Sequence, residues 1–419
     1  MSAVLALGAA QASAQEAGLL DLSRELRDLT REAAGAGDWE SARRTNAAAL
    51  AIQPGHPGLL TNAVIIASRS GSPEDVLDAV EAVASAGLSF DLADLPDAAA
   101  AQAADPERYA AIEARLAETA APVGSARQAA KPPLPDALVE ALAVDDKTEA
   151  LFLGTVADRR IYKVEPFAPD AADVFAGDDE PLGSILGLAV DPVNGLVYAA
   201  EATLPQTPLA EDETAGTALV ALDIATGHIV RRHTIEGAER IGDVVVRDGV
   251  VYAADAGAGR IYRLDGPRAE LELFAEDDRF ASLQGLVPTR GSVYAVDYAL
   301  GIWRVDTRTR QAALLPSPPG ASLIGLDSLA ADRTGRLFVT RNGAAPFGLF
   351  EIELDMDGAP TALTPVLTGD PRLAEPSAVR LVGGTAFVIA DAQWRLFPED
   401  GSAPETPRAD PVVLRVELP

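Results

Sequence analysis

LGLAVD at residues 186–191 is followed, after a short turn, by VYA at residues 197–199. The same pair of apolar runs recurs as QGLV at 284–287 and VYA at 293–295. Six copies align, with starts at residues 140, 186, 242, 284, 327 and 377. The mean step is about 47 residues, which is typical of one four-stranded propeller blade. The repeat therefore predicts a six-bladed β-propeller over residues 137–419 and a mainly β fold.

The first part of the chain shows a different periodicity. Apolar residues recur at helical spacing over 18–120, and the spacing of helices and turns over 37–90 is similar to tetratricopeptide repeats. A Pro-rich stretch at 121–136 separates the two patterns, and we interpret it as a linker. The prediction is a small α-helical, tetratricopeptide-like segment, then a linker, then the propeller.

The N-terminus predicts export. Residues 3–10 are apolar, and Ala12-Ser13-Ala14 has the small-x-small pattern of a cleavage site, so we expect a signal peptide over 1–17. The alternative is an ordinary Ala-rich first helix. No later stretch has the apolar length of a transmembrane helix. A periplasmic or secreted bacterial protein is expected.

Composition excludes several functional classes. The formal net charge of −29 disfavours nucleic acid and anionic membranes as partners, although acidity also serves solubility. The chain has no cysteine, which excludes disulfides, thiol catalysis and thiolate metal sites. It also lacks the G-x-S-x-G, H-E-x-x-H, P-loop and dinucleotide-binding motifs.

The inner strands of a propeller surround its channel, so the starts of the six repeats should meet at one end of it. These positions are Glu140, Leu186, Gly242 or the neighbouring Asp243, Gln284, Asp327 and Ser377. Carboxylate and amide oxygens are hard ligands that suit Ca²⁺, Mg²⁺ or Mn²⁺. Glu140, Gln284 and Asp327 are thus candidate metal ligands, with Asp243 as a further candidate. The alternative is a polar lining of a water-filled channel.

Because of these residues at the repeat starts, the chain over 137–419 resembles the six-bladed propellers of the senescence marker protein / gluconolactonase family. The resemblance implies that a Glu, an Asn and an Asp hold one divalent cation, at the positions of Glu140, Gln284 and Asp327. It also implies that Asp327 acts as the base in lactone hydrolysis. The chain departs from the family where Gln284 replaces Asn and where Ala141 replaces the usual Gly. The substrate-binding Arg and Asn of the third blade have no match near Asp243.

The whole arrangement is also similar to a group of exported bacterial proteins that join a tetratricopeptide-like segment to such a propeller. That resemblance implies an envelope location and no particular reaction. The residues that carry it are GLSFDL at 87–92, DYALGI at 297–302, RNG at 341–343 and ADAQW at 390–394.

Two functional hypotheses follow. The first is a hydrolase of lactones or related esters that depends on a divalent cation, most plausibly Ca²⁺, and acts on a small-molecule substrate. The second is a non-catalytic binding or scaffold protein that contacts a protein partner through the propeller face and the helices. Asp255, Asp297 and Asp391 recur after second strands, where they either cap turns or line the rim of the site. The three tryptophans are expected to pack in the core.

Overall fold

The computed structural model describes residues 2–135, 137–211, 213–402 and 404–419, with side chains from residue 18 onward. Its contacts divide the chain into two units. The helical unit comprises the residues up to Ala121 with the segments Ser317–Ile324 and Ala344–Pro346. The propeller unit comprises Pro122–Pro316, Gly325–Gly343 and Phe347–Pro419.

The described residues of the helical unit form six α-helices. Their bounds are α1 (Ser2–Gly35), α2 (Trp39–Ile52), α3 (Pro57–Ser70), α4 (Pro73–Ser85), α5 (Ala98–Ala104) and α6 (Pro106–Ala120). Two of these helices, α2 and α4, have a side-chain cap at the N-terminus. Asp38 accepts from the backbone N–H of Ser41, and Ser72 forms a capping box with Asp75. The tetratricopeptide-like character of these helices stays a prediction.

The helical unit has its own apolar core. The helices α3, α4 and α6 bury one face each, with Val64, Leu77, Val80, Ile112 and Leu116 all nearly inaccessible to solvent. Such a core stabilises the helices, because helices of this length are marginal in water without packing.

The predicted export signal falls on the start of α1. The side chains of residues 1–17 lie outside the described part of the structure, so the signal stays a prediction. No helix within the described residues combines the length and the apolar character needed to cross a bilayer.

In the propeller unit, the described residues form six antiparallel sheets of four strands, which confirms the predicted six-bladed propeller. From the channel outwards, the strands are β2 (Val139–Val144), β3 (Leu151–Thr155), β4 (Ile161–Val164) and β5 (Asp173–Ala176) in blade 1; β6 (Ser184–Asp191), β7 (Leu196–Ala202), β8 (Thr217–Asp223) and β9 (Ile229–His233) in blade 2; β10 (Ile241–Arg247), β11 (Val250–Asp255), β12 (Arg260–Leu264) and β13 (Glu272–Glu276) in blade 3; β14 (Leu283–Pro288), β15 (Ser292–Asp297), β16 (Gly301–Asp306) and β17 (Ala312–Leu314) in blade 4; β18 (Leu326–Ala331), β19 (Leu337–Arg341), β20 (Gly348–Leu354) and β21 (Pro360–Thr368) in blade 5; and β22 (Val379–Val382), β23 (Thr385–Ile389), β24 (Val413–Glu417) and β1 (Arg127–Ala130) in blade 6.

The inner strands form a closed ring. Each contacts the inner strand of the next blade, and β22 contacts β2. The second strands are covered on both faces by neighbouring blades, so β7 and β23 are buried along their whole length. This double burial explains why the second run of each repeat is continuously apolar.

Blade 6 is completed from the other end of the propeller unit. Strand β1 pairs with β24, with Arg127 opposite Arg415 and Gln128 opposite Leu414. Residues 127–130 thus form a propeller strand inside the stretch that the sequence predicts to be a linker. The reason is that RQAA carries no alternating apolar pattern, so pairing with β24 rather than its own sequence determines its conformation.

Two glycines allow the inner strands to approach closely around the channel. A Cβ on Gly187 would lie 2.7 Å from the Cα of Asp243, and one on Gly285 would lie 2.5 Å from the backbone nitrogen of Leu329. The repeat therefore has glycine where one inner strand touches the next, and this contact positions Asp243.

The recurring aspartates cap turns rather than line a rim. Asp255 accepts four backbone N–H groups, from Glu239, Arg240, Gly257 and Ala258, at 2.9–3.0 Å. Asp297 accepts from the N–H groups of Ala281 and Ala299. Asp391 accepts from Gln393 N–H at 3.3 Å and pairs with Arg395.

Candidate functional site

All six repeat starts line one small cavity at an end of the channel, which we call the hub cavity. Its lining includes Glu140, Leu186, Gly242, Asp243, Gln284, Asp327 and Ser377. The volume of about 20 Å³ has room for about one water molecule or one ion. The structure thus brings the four sequence-predicted ligands to a single place, and their roles there stay predictions.

Glu140, in β2, is held from the sixth blade. The indole Nε1 of Trp394 donates to Glu140 Oε2 at 2.7 Å. Burial raises the pKa of Glu140 well above its usual value, and the negative charge of Asp327 raises it further. The sequence predicts that Trp394 packs in the core; it is half-buried, and its indole N–H holds the Glu140 side chain.

Asp327, in β18, is held by Asn342. The amide Nδ2 of Asn342 donates to Asp327 Oδ2 at 2.6 Å and to the carbonyl oxygen of Pro376 at 3.1 Å. Burial raises the pKa of Asp327 to about 7, against the lowering effect of the Asn342 hydrogen bond. The charges of Asp243 and Glu375 add to the rise. Asp327 therefore exchanges a proton near neutral pH.

The side-chain oxygen of Asn342 has no hydrogen-bond donor among the described residues. This atom, Oδ1, is buried. A buried polar atom without a partner is costly, so this oxygen can accept a further hydrogen bond.

Asp243, in β10, has a cationic partner. Arg380 donates from Nη2 to Asp243 Oδ1 at 3.0 Å, and the two side chains are 17% and 9% exposed. The backbone N–H of Leu286 donates to the other oxygen at 2.9 Å. Burial raises the pKa of Asp243, while the Arg380 charge opposes that rise. Unlike Glu140 and Asp327, Asp243 has both oxygens occupied by protein donors.

All three guanidinium nitrogens of Arg380 donate hydrogen bonds. Its guanidinium also donates to the carbonyl oxygens of Leu188 and Val379 and to Ser328 Oγ, at 2.9–3.3 Å. Besides the hub cavity, Arg380 lines a larger cavity of about 590 Å³ formed by the other ends of the inner strands. The arginine thus separates a small acidic cavity from a larger one with many valines in its walls.

Gln284 contributes an amide oxygen to the hub. Its Nε2 donates to Ser282 Oγ at 3.2 Å, and within the described residues no donor contacts its Oε1. The extra methylene of Gln relative to Asn still leaves this side chain on the cavity wall.

The donor set fits a hard cation. Among the described residues, no three His, Asp or Glu side chains have the geometry of a metal cluster. Without Asp243, the set on the wall of the hub cavity is two carboxylates, Glu140 and Asp327, with the side-chain amide of Gln284. Carboxylate and amide oxygens are hard donors that suit such an ion.

Sequence analysis missed Arg380, Asn342 and Trp394. The candidate metal ligands come from the repeat starts, whereas Arg380 is the second residue of β22 and Asn342 follows the second strand β19. The motif RNG at 341–343 was noticed for its resemblance only. A search for polar residues on inner strands would have found Arg380, because the other blades have Val or Ala there.

Comparisons with known proteins concern the propeller. No family model and no curated protein sequence matches the chain. Solved structures similar to it include a gluconolactonase from Xanthomonas campestris, 16% identical with a TM-score of 0.48, covering 72% of this chain and 93% of that one. A calcium-binding regucalcin from Agrobacterium tumefaciens is 16% identical with a TM-score of 0.49, covering 71% and 95%. The PQQ-bound aldose sugar dehydrogenase of Streptomyces coelicolor is 15% identical with a TM-score of 0.46, covering 71% and 99%. Because a fold alone does not determine function, function has to be argued from the side chains of the hub cavity.

Proposed function

We propose that the hub cavity binds one divalent cation, Ca²⁺ by preference, and that the site hydrolyses a lactone or a related ester. The observation that carries the proposal is a charge imbalance. Glu140, Asp243 and Asp327 share a cavity of one-ion size with a single guanidinium, Arg380. With all groups ionised the net charge is −2, which one divalent cation neutralises.

Glu140 and Asp327 would hold the cation, with the amide oxygen of Gln284, and Asn342 would hold Asp327 in place. Ca²⁺ is favoured over Mg²⁺ because it accepts amide oxygens and irregular geometry more readily. A bound divalent cation supplies Lewis-acid polarisation of a carbonyl group and lowers the pKa of a water molecule.

Asp327 would be the proton acceptor. In the metal-free protein the pKa of Asp327 is about 7, and a bound cation would lower it, so the carboxylate would be ionised and able to accept a proton at neutral pH. Asn342 keeps one oxygen of Asp327 fixed, and Trp394 orients Glu140. Asp243 keeps Arg380 in place and takes no part in proton transfer.

The size of the hub cavity favours a second candidate. About 20 Å³ leaves no room for a substrate inside, so a substrate would meet the site only from its outer side. A cation that merely ties the blades together, in a non-catalytic envelope protein with a binding or scaffold role, fits that volume equally well. Export and the envelope location belong to this proposal too.

Metal content and thermal unfolding test the cation. Purified protein should contain about one Ca²⁺ per chain; EDTA should lower the melting temperature, and Ca²⁺ should restore it. Glu140→Gln and Asp327→Asn should each abolish the restoration. Asp248→Asn is the matched control, since this aspartate is 94% exposed and does not line the hub cavity. Identical melting curves with and without EDTA would disprove the cation site.

A lactone panel then separates catalysis from a structural cation. For a hydrolase, Asp327→Asn should lower kcat by at least about 100-fold, as loss of a general base does. Calcium-dependent melting without hydrolysis of any lactone or ester would leave the structural role alone.

A further inference from the structure

A second cavity lies in the helical unit, and we call it the helical-unit cavity. It has a volume of about 450 Å³, within the range of small-molecule sites. Helices α1, α2 and α3 form its walls. The side chains used below are Arg27, Arg31, Trp39, His56, Asn62 and Ile65.

The charge of this cavity is opposite to that of the chain. The protein carries a net charge of −29, yet no Asp or Glu is among the described residues that line the cavity. Two arginines do line it. A cationic cavity in so acidic a protein attracts anions and is unlike the surrounding surface.

Arg27 differs from the neighbouring arginines on α1. Arg24 pairs with Asp21 at 2.7 Å, and Arg31 pairs with Asp28 at 2.9 Å. Arg27 is half-buried, and within the described part of the chain no carboxylate lies in ion-pair contact with it. Burial and the charge of Arg24 lower the pKa of Arg27, which shows that its cation is poorly compensated.

His56 positions Arg27 without neutralising it. The Nη1 of Arg27 lies 3.0 Å from Nε2 of His56. Burial lowers the pKa of His56 to about 4, and the charge of Arg27 contributes to that shift. His56 is therefore neutral at physiological pH, so Arg27 keeps its full charge and can pair with an anion from outside.

Much of the remaining lining is apolar. Trp39 is half-buried, and Ile65 is 47% exposed although it is a large aliphatic residue. An exposed Ile beside a Trp offers a surface to an apolar group. Asn62 adds an amide that can donate to an anion.

We propose that the helical-unit cavity binds a small organic carboxylate, with the carboxylate on Arg27 and its apolar body against Trp39 and Ile65. The ion pair between the guanidinium and the carboxylate orients the ligand in the cavity, and the apolar wall selects against small inorganic anions.

Calorimetric titration of the full-length protein tests this proposal, with 4-phenylbutyrate as the probe. Saturable binding in the millimolar range or tighter is expected, with binding of the neutral 4-phenylbutan-1-ol weaker by at least about tenfold. Equal affinity for the acid and the alcohol, equal affinity for inorganic phosphate, or no saturation with phenylbutyrate would overturn the proposal.

Two variants locate the site, and a third is the control. Arg27→Met and Ile65→Glu should each weaken phenylbutyrate binding by at least about tenfold, the first by removing the cation and the second by adding a repelling charge. Arg24→Met, one helical turn away on α1 and paired with Asp21, should bind as the natural protein does. Ile65 is exposed enough for its substitution to leave the fold intact, so unchanged binding in that variant contradicts the proposal even where Arg27→Met fails to fold.

Discussion

The hub cavity and the helical-unit cavity both contain charges without an internal partner, and the signs are opposite. At the hub, Glu140 and Asp327 share a one-ion space, whereas the nearby Asp243 is paired with Arg380. On α1, Arg27 has no carboxylate in the described part of the chain, whereas Arg24 and Arg31 each have an aspartate. In each region, the paired charges can therefore be compared directly with the unpaired ones. The difference teaches that an unmatched charge next to matched ones indicates a ligand, because an unmatched buried charge costs stability.

Breaking the ion pair between Arg380 and Asp243 should have the largest effect on stability. Arg380→Met leaves Asp243 buried without its cation, so we expect the free energy of unfolding to fall by about 3–5 kcal/mol. Denaturant unfolding measures it. The double variant with Asp243→Asn should recover part of the loss, since no uncompensated charge then remains. A loss below about 0.5 kcal/mol in the single variant would show that the pair is not needed.

The pH dependence of stability should report the raised pKa values of Glu140 and Asp327. In the folded protein the pKa values of Glu140 and Asp327 are raised, the latter to about 7, so their contribution to stability is present below the unfolded pKa. It is lost as the pH rises through the folded pKa. Without metal, the free energy of unfolding should therefore fall by roughly 1–4 kcal/mol between about pH 4 and pH 7.

Urea unfolding in EDTA across this pH range checks the sign. The double variant Glu140→Gln, Asp327→Asn is the control for the general effect of the net charge, and its curve should be flatter. The same slope in both proteins would contradict raised pKa values at the hub. Saturating Ca²⁺ should also flatten the curve of the natural protein, because the cation favours the ionised acids.

Removing one unmatched charge at the hub should stabilise the metal-free protein. Glu140→Gln keeps the shape and the hydrogen bond from Trp394 but removes the repulsion with Asp327. At pH 8 in EDTA we expect a gain of about 1–2 kcal/mol, measured by thermal unfolding. A loss of stability would mean that the two acids are not in conflict. The exposed Asp248→Asn should change nothing.

The smallest effect is expected on α1. Arg27→Met should change the free energy of unfolding by no more than about 0.5 kcal/mol in the absence of ligand, since it breaks no ion pair. Arg24→Met should behave alike, because an exposed pair contributes little. A destabilisation of more than about 2 kcal/mol by Arg27→Met would give Arg27 a structural role instead.

The sequence repeat was sufficient to predict the propeller and the meeting of the six repeat starts. Both depend on period and on closure of the ring, which sequence displays directly. Asn342 and Trp394 could not be predicted in the same way, because each contacts an acid of the hub from outside the repeated strands. Arg380 occupies a position that the repeat shares, but every other blade has Val or Ala there, so the repeat itself does not predict a charge. Strand β1 was missed for a related reason: RQAA has too weak a pattern of its own, and its partner β24 lies more than 280 residues later. The export signal, the tetratricopeptide-like character and the ligand roles stay predictions.

The strand β1 also has a consequence for how the protein is made. Since β1 borders β24, blade 6 can be completed only after residues 413–417 have been synthesised, long after residues 127–130. Until then β1 has no partner strand, and such contacts of high sequence separation form slowly. Deletion of residues 127–130 would leave one edge of β24 permanently unpaired, so a chain trimmed between the helices and blade 1 is expected to self-associate even though every inner strand is retained.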